Sequence, residues 1–281
     1  MKNNKIKYYN LKNLRKIHYN RSIVNGIKNF NLNMNDWVSH PYTFLKSRFY
    51  IEVSCLLVYL AQFTNITPNF LTMIYALLGA IGGVLIACNN SFLIIIGLIV
   101  LFTKNIFDWS DGLLAKVKGQ SSNLGELLDN WGAIVGSYCF VAGFGFYLFH
   151  RSDERLFLII AFLIILLKSL DLKNFAYQLS MYELFRSKNK NEILKKLNLK
   201  KKQTYSLYKN IFIIKIKNFL QNFLDDRSRS VDFILLLILI DNFYLNIVLI
   251  EYVYYYILLR SVLLFLGGMY ITLKKKHLYK N

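Results

Sequence analysis

Residues 69–88, NFLTMIYALLGAIGGVLIAC, and residues 91–107, SFLIIIGLIVLFTKNIF, contain a single charged side chain, Lys104. Only Asn89 and Asn90 separate the two runs. A helix needs about twenty predominantly apolar residues to cross roughly 30 Å of hydrocarbon, whereas soluble cores come from shorter periodic stretches with a polar stripe. These runs therefore read as two successive membrane spans. Working outward, four more runs of the same kind lie at approximately Glu126–Phe149, Leu156–Leu172, Val231–Ile247 and Tyr252–Leu273. The fold class follows: an all-α, polytopic integral membrane protein with six transmembrane helices.

The 281 residues are 55% hydrophobic and carry a formal net charge of +19, nearly all of it outside the apolar runs. A basic balance can indicate nucleic acid, but basic segments that flank apolar spans are explained by anionic lipid headgroups, so membrane lipid and no nucleic acid is expected. Lys and Arg concentrate on the cytoplasmic side of membrane proteins. Six spans place the arm before Asn69, the linker Ser110–Leu124, the segment Lys173–Ser230 and the tail Lys274–Lys280 inside. The result is a multi-pass protein, expected in the plasma (inner) membrane, with both termini cytoplasmic.

A shorter apolar stretch, Ile51–Phe63, begins beside Lys46, Arg48 and Glu52. If it spanned, the arm Met1–Arg48, with ten Lys or Arg and one acid (Asp36), would lie outside. An amphipathic helix lying at the interface fits the charge bias better. The segment Lys173–Ser230 holds fourteen Lys or Arg against four acids, and Tyr208–Leu224 within it reads as another surface-lying helix. The chain thus divides into a basic arm with its interfacial helix at 1–65 and a six-helix membrane domain at 66–281, with a basic cytoplasmic insertion at about 173–230. No cleavable signal peptide is expected, because the first forty residues hold no apolar run. Cys55, Cys88 and Cys139 form no CxxC pair or Cys/His cluster, so neither a zinc site nor a disulfide framework is suggested. His18, His40, His150 and His277 have no partner at motif spacing.

Ionisable residues in or beside spans are costly and mark function. They are densest between the second and third spans, at Asp108, Asp111 and Asp129. Asp108 and Asp111 share a helix face, Ala115 continues it, and Asp129 opens the span that re-enters from the same side. Three carboxylates brought together repel one another unless a cation or proton neutralises them. An all-oxygen set suits Mg²⁺ or Mn²⁺, and Mg²⁺ is commonly shared between carboxylates and substrate phosphates.

The spacing Asp108-x2-Asp111-Gly112-x2-Ala115-Lys116-x8-Gly125-x3-Asp129 resembles the signature of the CDP-alcohol phosphatidyltransferase family, D-x2-D-G-x2-A-R-x8-G-x3-D-x3-D. The run from Ile66 to Thr72 also resembles the start of that family's first core helix, with Thr67 or Asn69 as the cap near Pro68. The resemblance implies transfer of a phosphoalcohol from a CDP-linked alcohol donor to a small or lipid acceptor alcohol, with release of CMP. It also implies metal binding at Asp108, Asp111 and Asp129. Gly112, Ala115 and Gly125 would admit the cytidine moiety, Asp111 would face the same ligand, and residue 116 would contact the nucleotide phosphate.

Two positions depart from the signature. Lys116 stands where the family has Arg, keeping the charge but losing the planar two-donor fork. Ala133 stands where the fourth aspartate should be, a residue implied to act as general base and to help hold a metal. No catalytic residue is therefore assigned. The chain could be a degenerate binder, another group could supply the base, or the acceptor could be acidic enough to need none. Lys168, Asp171 and Glu126 are available substitutes, but the first two read more simply as an i,i+3 ion pair and Glu126 as an acid in a first helical turn. Lys104, four residues before Asp108, reads equally as an anion contact or as an ion pair with Asp108. Asp241 and Arg260 read as a structural pair. Gly79, Gly82 and Gly83 read as a close-packing surface within the protomer, with a homodimer left open. Trp131 and Gly132 read as filling the space beside the missing acid.

Overall fold

The computed structural model describes residues 8–30, 41–170, 231–244 and 248–274; the surface helix expected at Tyr208–Leu224, like the rest of 173–230, lies outside them, as does Asp171. The described residues form eight α-helices and no strand: α1 Leu11–Phe30, α2 Pro41–Ala61, α3 Pro68–Ala87, α4 Ser91–Val117, α5 Asn123–Ser152, α6 Leu156–Ser169, α7 Val231–Tyr244 and α8 Val248–Lys274. All six expected spans coincide with helices, α3 to α8. Four of them, α3, α4, α5 and α8, are long and apolar enough to cross a bilayer. The other two, α6 and α7, have 14 residues each within the described chain, about 21 Å at 1.5 Å per residue, less than the hydrocarbon thickness. The chain is an all-helical polytopic membrane protein.

Three boundaries differ from the sequence reading. First, α4 continues past Phe107 to Val117, so the span and the helix face of Asp108, Asp111 and Ala115 belong to one helix, which also carries Gly112 and Lys116. The reason is packing, because Leu113, Leu114 and Val117 are buried in an apolar cluster that holds the helix in register to its end. Second, α5 runs on to Ser152 and takes Arg151 with it. Third, the N-terminal arm contains a helix, α1, whose polar and basic composition gave no apolar run to read.

The described chain groups into two compact units: residues 1–82 with 99–136, and residues 83–98 with 137–281. In the first, Leu14 of α1 joins Ile51, Cys55, Val58 and Ala61 of α2, Leu71 of α3, and Leu113, Leu114 and Val117 of α4 in one cluster. The backbone N–H of Tyr9 donates to Gln62 Oε1 at 2.9 Å and Gln62 Nε2 returns a bond to Tyr9 O at 2.9 Å. Arg15 pairs with Glu52, and Tyr50 of α2 donates to Phe102 O of α4 at 2.9 Å. Here α2 is a clamp between the N-terminal helix and the end of α4. In the second unit, Tyr254 of α8 donates to Val141 O of α5 at 3.0 Å from a fully buried position. Gly83 packs directly on Cys139 and Gly143, where a Cβ would fall within 2.4 Å of the Cys139 carbonyl oxygen.

Candidate active site

Local chemistry fixes the ends of the three helices that carry the signature. Thr67 caps α3, its Oγ1 accepting from Phe70 N–H at 3.3 Å, with Pro68 at the first helical position. Past the end of α4, Gly119 adopts φ +64°, and Gln120 N–H reaches back to Ala115 O at 2.8 Å, a glycine-terminated helix end. Ser122 then caps α5, accepting from Gly125 N–H at 3.0 Å. Lys118 ties this turn to the start of α3 by donating to Thr64 O at 2.7 Å and Ile66 O at 2.8 Å, and burial lowers its pKa.

The turn Lys118–Ser122 returns the chain so that acids of α4 and α5 meet. The Asp108 carboxyl is within hydrogen-bonding reach of Asp129 and within charge–charge range of Asp111 and of Lys104. Asp111 is 8% exposed and accepts from Thr72 Oγ1 of α3 at 2.5 Å, the short distance typical of a hydroxyl bound to a carboxylate. Asp129 is exposed, so the cluster is buried at Asp111 and open at Asp129. Two carboxyls at hydrogen-bonding reach with a third beside them need a proton or a cation between them. Among the described residues no three His, Cys, Asp or Glu side chains enclose a metal position by themselves. The donor chemistry nevertheless fits Mg²⁺ or Mn²⁺, ions that take one or two carboxylates and complete their shell with water and substrate phosphate.

The remaining signature residues lie between Asp111 and Asp129 in the sequence. Gly112 and Ala115 are partly exposed, and Lys116 is exposed near the end of α4. Gly125 lies by Asn69, whose Oδ1 would be 3.3 Å from a Cβ added there. The residue pattern of the CDP-alcohol phosphatidyltransferase family matches residues 65–240. The chain belongs to that family. The matched segment begins just before Pro68, at the start of α3, and takes in all three acids. A comparison with curated proteins finds no match.

Set against the phosphatidyltransferase signature, the position of the missing fourth acid is informative. Ala133 is partly buried on α5, one turn beyond Asp129. Of its neighbours, Trp131 is exposed, and Gly132 lies under the Tyr75 ring, where a Cβ would meet Cδ1 at 3.0 Å. Of the substitute bases, Lys168 donates to Ser137 Oγ at 2.9 Å in the second unit, and Glu126 is exposed.

Sequence reasoning undervalued one turn of α4. Lys104 is 3% exposed and Asn105 is 2% exposed, and both carboxamide atoms of Asn105 lack a hydrogen-bond partner. The visible signal was an adjacent polar pair, Lys104-Asn105, inside an otherwise apolar run. Two buried polar side chains side by side are costly enough to need a reason.

Proposed function

We propose that this protein transfers a phosphoalcohol group, phosphatidyl or similar, from a CDP-alcohol to an acceptor hydroxyl, in phospholipid or related membrane glycoconjugate synthesis. The observation that carries the reading is the approach of Asp108 on α4 to Asp129 on α5, with Asp111 beside them, at the spacing of the phosphatidyltransferase signature. In this reading Asp108, Asp111 and Asp129 hold Mg²⁺ or Mn²⁺ jointly with the donor's diphosphate. The ion, when bound, offsets charge that develops on the departing nucleotide. Thr72 keeps Asp111 oriented, and Gly112, Ala115 and Gly125 leave room for the cytidine. Lys116, exposed near the end of α4, steadies the diphosphate as a point charge.

The acceptor oxygen forms a bond to the phosphorus of the alcohol-bearing phosphate, the bond from that phosphorus to CMP breaks, and CMP leaves with the electron pair. The hydroxyl proton passes to a group other than residue 133, whose methyl cannot take it. The site lies at the cytoplasmic edge of the membrane, with donor and acceptor drawn from that side.

A second reading is supported by Ala133 alone: a membrane protein that binds metal and CDP-alcohol without turnover. Release of CMP from CDP-diacylglycerol in the presence of Mn²⁺ and a panel of acceptor alcohols separates the two. CMP formed by the native chain and lost in Asp111→Asn supports the transferase. Activity that appears only in Ala133→Asp overturns native catalysis and leaves the binding reading.

A further inference from the structure

Three adjacent polar side chains, Thr103, Lys104 and Asn105, interrupt the apolar run of α4 about one turn on the membrane side of Asp108. Two of them are engaged nearby. The Thr103 hydroxyl donates to Ile99 O at 2.9 Å and to Val100 O at 3.2 Å of its own helix. The Lys104 ammonium stands over the Tyr75 ring of α3, 5.3 Å from its centroid, and acts electrostatically on Asp108. Asn105 differs. It is buried, and neither its Nδ2 nor its Oδ1 has a hydrogen-bond partner in the chain. A buried carboxamide left unmet costs stability, so leucine would serve better here if packing were the only task.

Position says what Asn105 would meet. Asn105, Asp108 and Gly112 follow one another at spacings of three and four, so they share one face of α4, with Asn105 about 4.5 Å deeper than Asp108. On α5, Asp129 meets Asp108, and Gly136 lies against the Lys104 ammonium, where a Cβ would come within 2.7 Å of Nζ. Between these contacts the two helices run in opposite directions. Asn105 on one and Ala133 on the other both fall inside that interval, at the inner end of the carboxylate cluster. Ala133 brings a methyl to the level where the signature has an acid, and Asn105 brings a donor and an acceptor.

In the transferase reading the donor's diphosphate lies at the acids, and the acceptor must bring a hydroxyl to the same phosphorus. A carboxamide holds an N–H donor and a C=O acceptor side by side. An ammonium only donates and an ester carbonyl only accepts, so each leaves half of the carboxamide unmet. Two hydroxyls on neighbouring carbons answer it fully, one oxygen accepting from Nδ2 while the other hydroxyl donates to Oδ1. We propose that Asn105 holds the acceptor through such a vicinal diol, which makes the acceptor a polyol and not an amino alcohol. The proposal rests on the transferase reading and adds the acceptor class and the residue that selects it. Asn105 takes no proton; it fixes where the hydroxyls stand.

Purified full-length protein in detergent is given CDP-diacylglycerol, Mn²⁺ and one of four acceptors. Glycerol 3-phosphate and inositol 1-phosphate carry a vicinal diol; 3-hydroxypropyl phosphate and serine do not. The readout is kcat/KM for the acceptor, from CMP release, with binding of CDP-diacylglycerol measured separately. In the native chain one of the two polyols is expected to exceed both other acceptors by about tenfold or more, because the wrong acceptor leaves the carboxamide unmet. Asn105→Leu is expected to erase that advantage through a raised KM for the polyol, with donor binding unchanged and the melting temperature held or raised. Asn105→Ala repeats the comparison with a smaller side chain, so that a clash of leucine is not mistaken for a lost contact. Serine or 3-hydroxypropyl phosphate serving as well as the polyols, or a preference kept in both variants, would remove Asn105 from the account and leave the transferase reading standing. Should the native chain release no CMP with any acceptor, the proposal and the transferase reading fall together.

Discussion

Two groups of charged residues on these helices differ in how their charges close. In the second unit, fully buried Asp241 of α7 meets Arg151 Nε of α5 at 3.2 Å and accepts from Tyr147 OH at 2.6 Å, while Glu251 of α8 takes Arg151 Nη1 at 3.4 Å. Each charge there has an opposite charge or a hydroxyl from the chain itself. In the first unit, Asp108 faces two like charges, Asp129 and Asp111, with the Lys104 ammonium also in range. A self-balanced group holds helices together. Like charges held at hydrogen-bonding reach call for a proton or a cation, and that call distinguishes a site from a strut.

The largest expected effect sharpens this contrast directly. Asp111→Asn should lower CMP release by about 100-fold or more, because losing a ligand exceeds the 10–100-fold typical of losing an outer partner, while the melting temperature in detergent barely moves. A variant that melts early would make Asp111 a strut like Asp241. The converse substitution, Asp241→Asn, should destabilise by about 3–5 kcal/mol by leaving Arg151 short of its partner, with CMP release per folded molecule unchanged. A fall in turnover with full stability would place Asp241 in the wrong category.

Thr72→Val should be intermediate. Its hydroxyl positions Asp111 without joining the reaction, so activity should fall by about tenfold and recover in Thr72→Ser, which restores the donor. Equal activity in Thr72→Val and Thr72→Ser would show that the 2.5 Å bond positions nothing. The smallest effect is assigned to Arg15→Ala. Its pairing with Glu52 is half-exposed, and such pairs contribute less than about 1 kcal/mol, so thermal melting should shift only slightly. A shift several times larger would mean that α1 is held to α2 mainly by charge and not by Leu14.

Much of the membrane architecture was legible because the span signal is a matter of length and composition. All six apolar runs fall on helices, and side-chain chemistry narrowed the cap of α3 to Thr67 or Asn69 beside Pro68, of which Thr67 accepts the capping bond. Features that depend on a partner far away in sequence were not readable. Helix α1 was missed because its packing face, Leu11, Leu14, Ile17 and Tyr19, is dispersed among Lys12, Arg15 and Lys16 and forms no apolar run. For Asp241 the sequence offered only Arg260, since Arg151 lies beyond the expected span Glu126–Phe149 and joins it only through the last turn of α5. Lys104 was left even because neither its burial nor the Tyr75 ring of α3 beneath its ammonium can be read from spacing.

By itself the sequence determined that the chain is helical and crosses a membrane, and that acids of the phosphatidyltransferase pattern stand at the ends of two neighbouring helices. Hydrophobic length and residue spacing are local properties, so they survive the absence of coordinates. Only the tertiary structure decided which charges meet opposite charges and which meet like ones. Charge balance depends on distances between helices, and side-chain identity does not encode those distances.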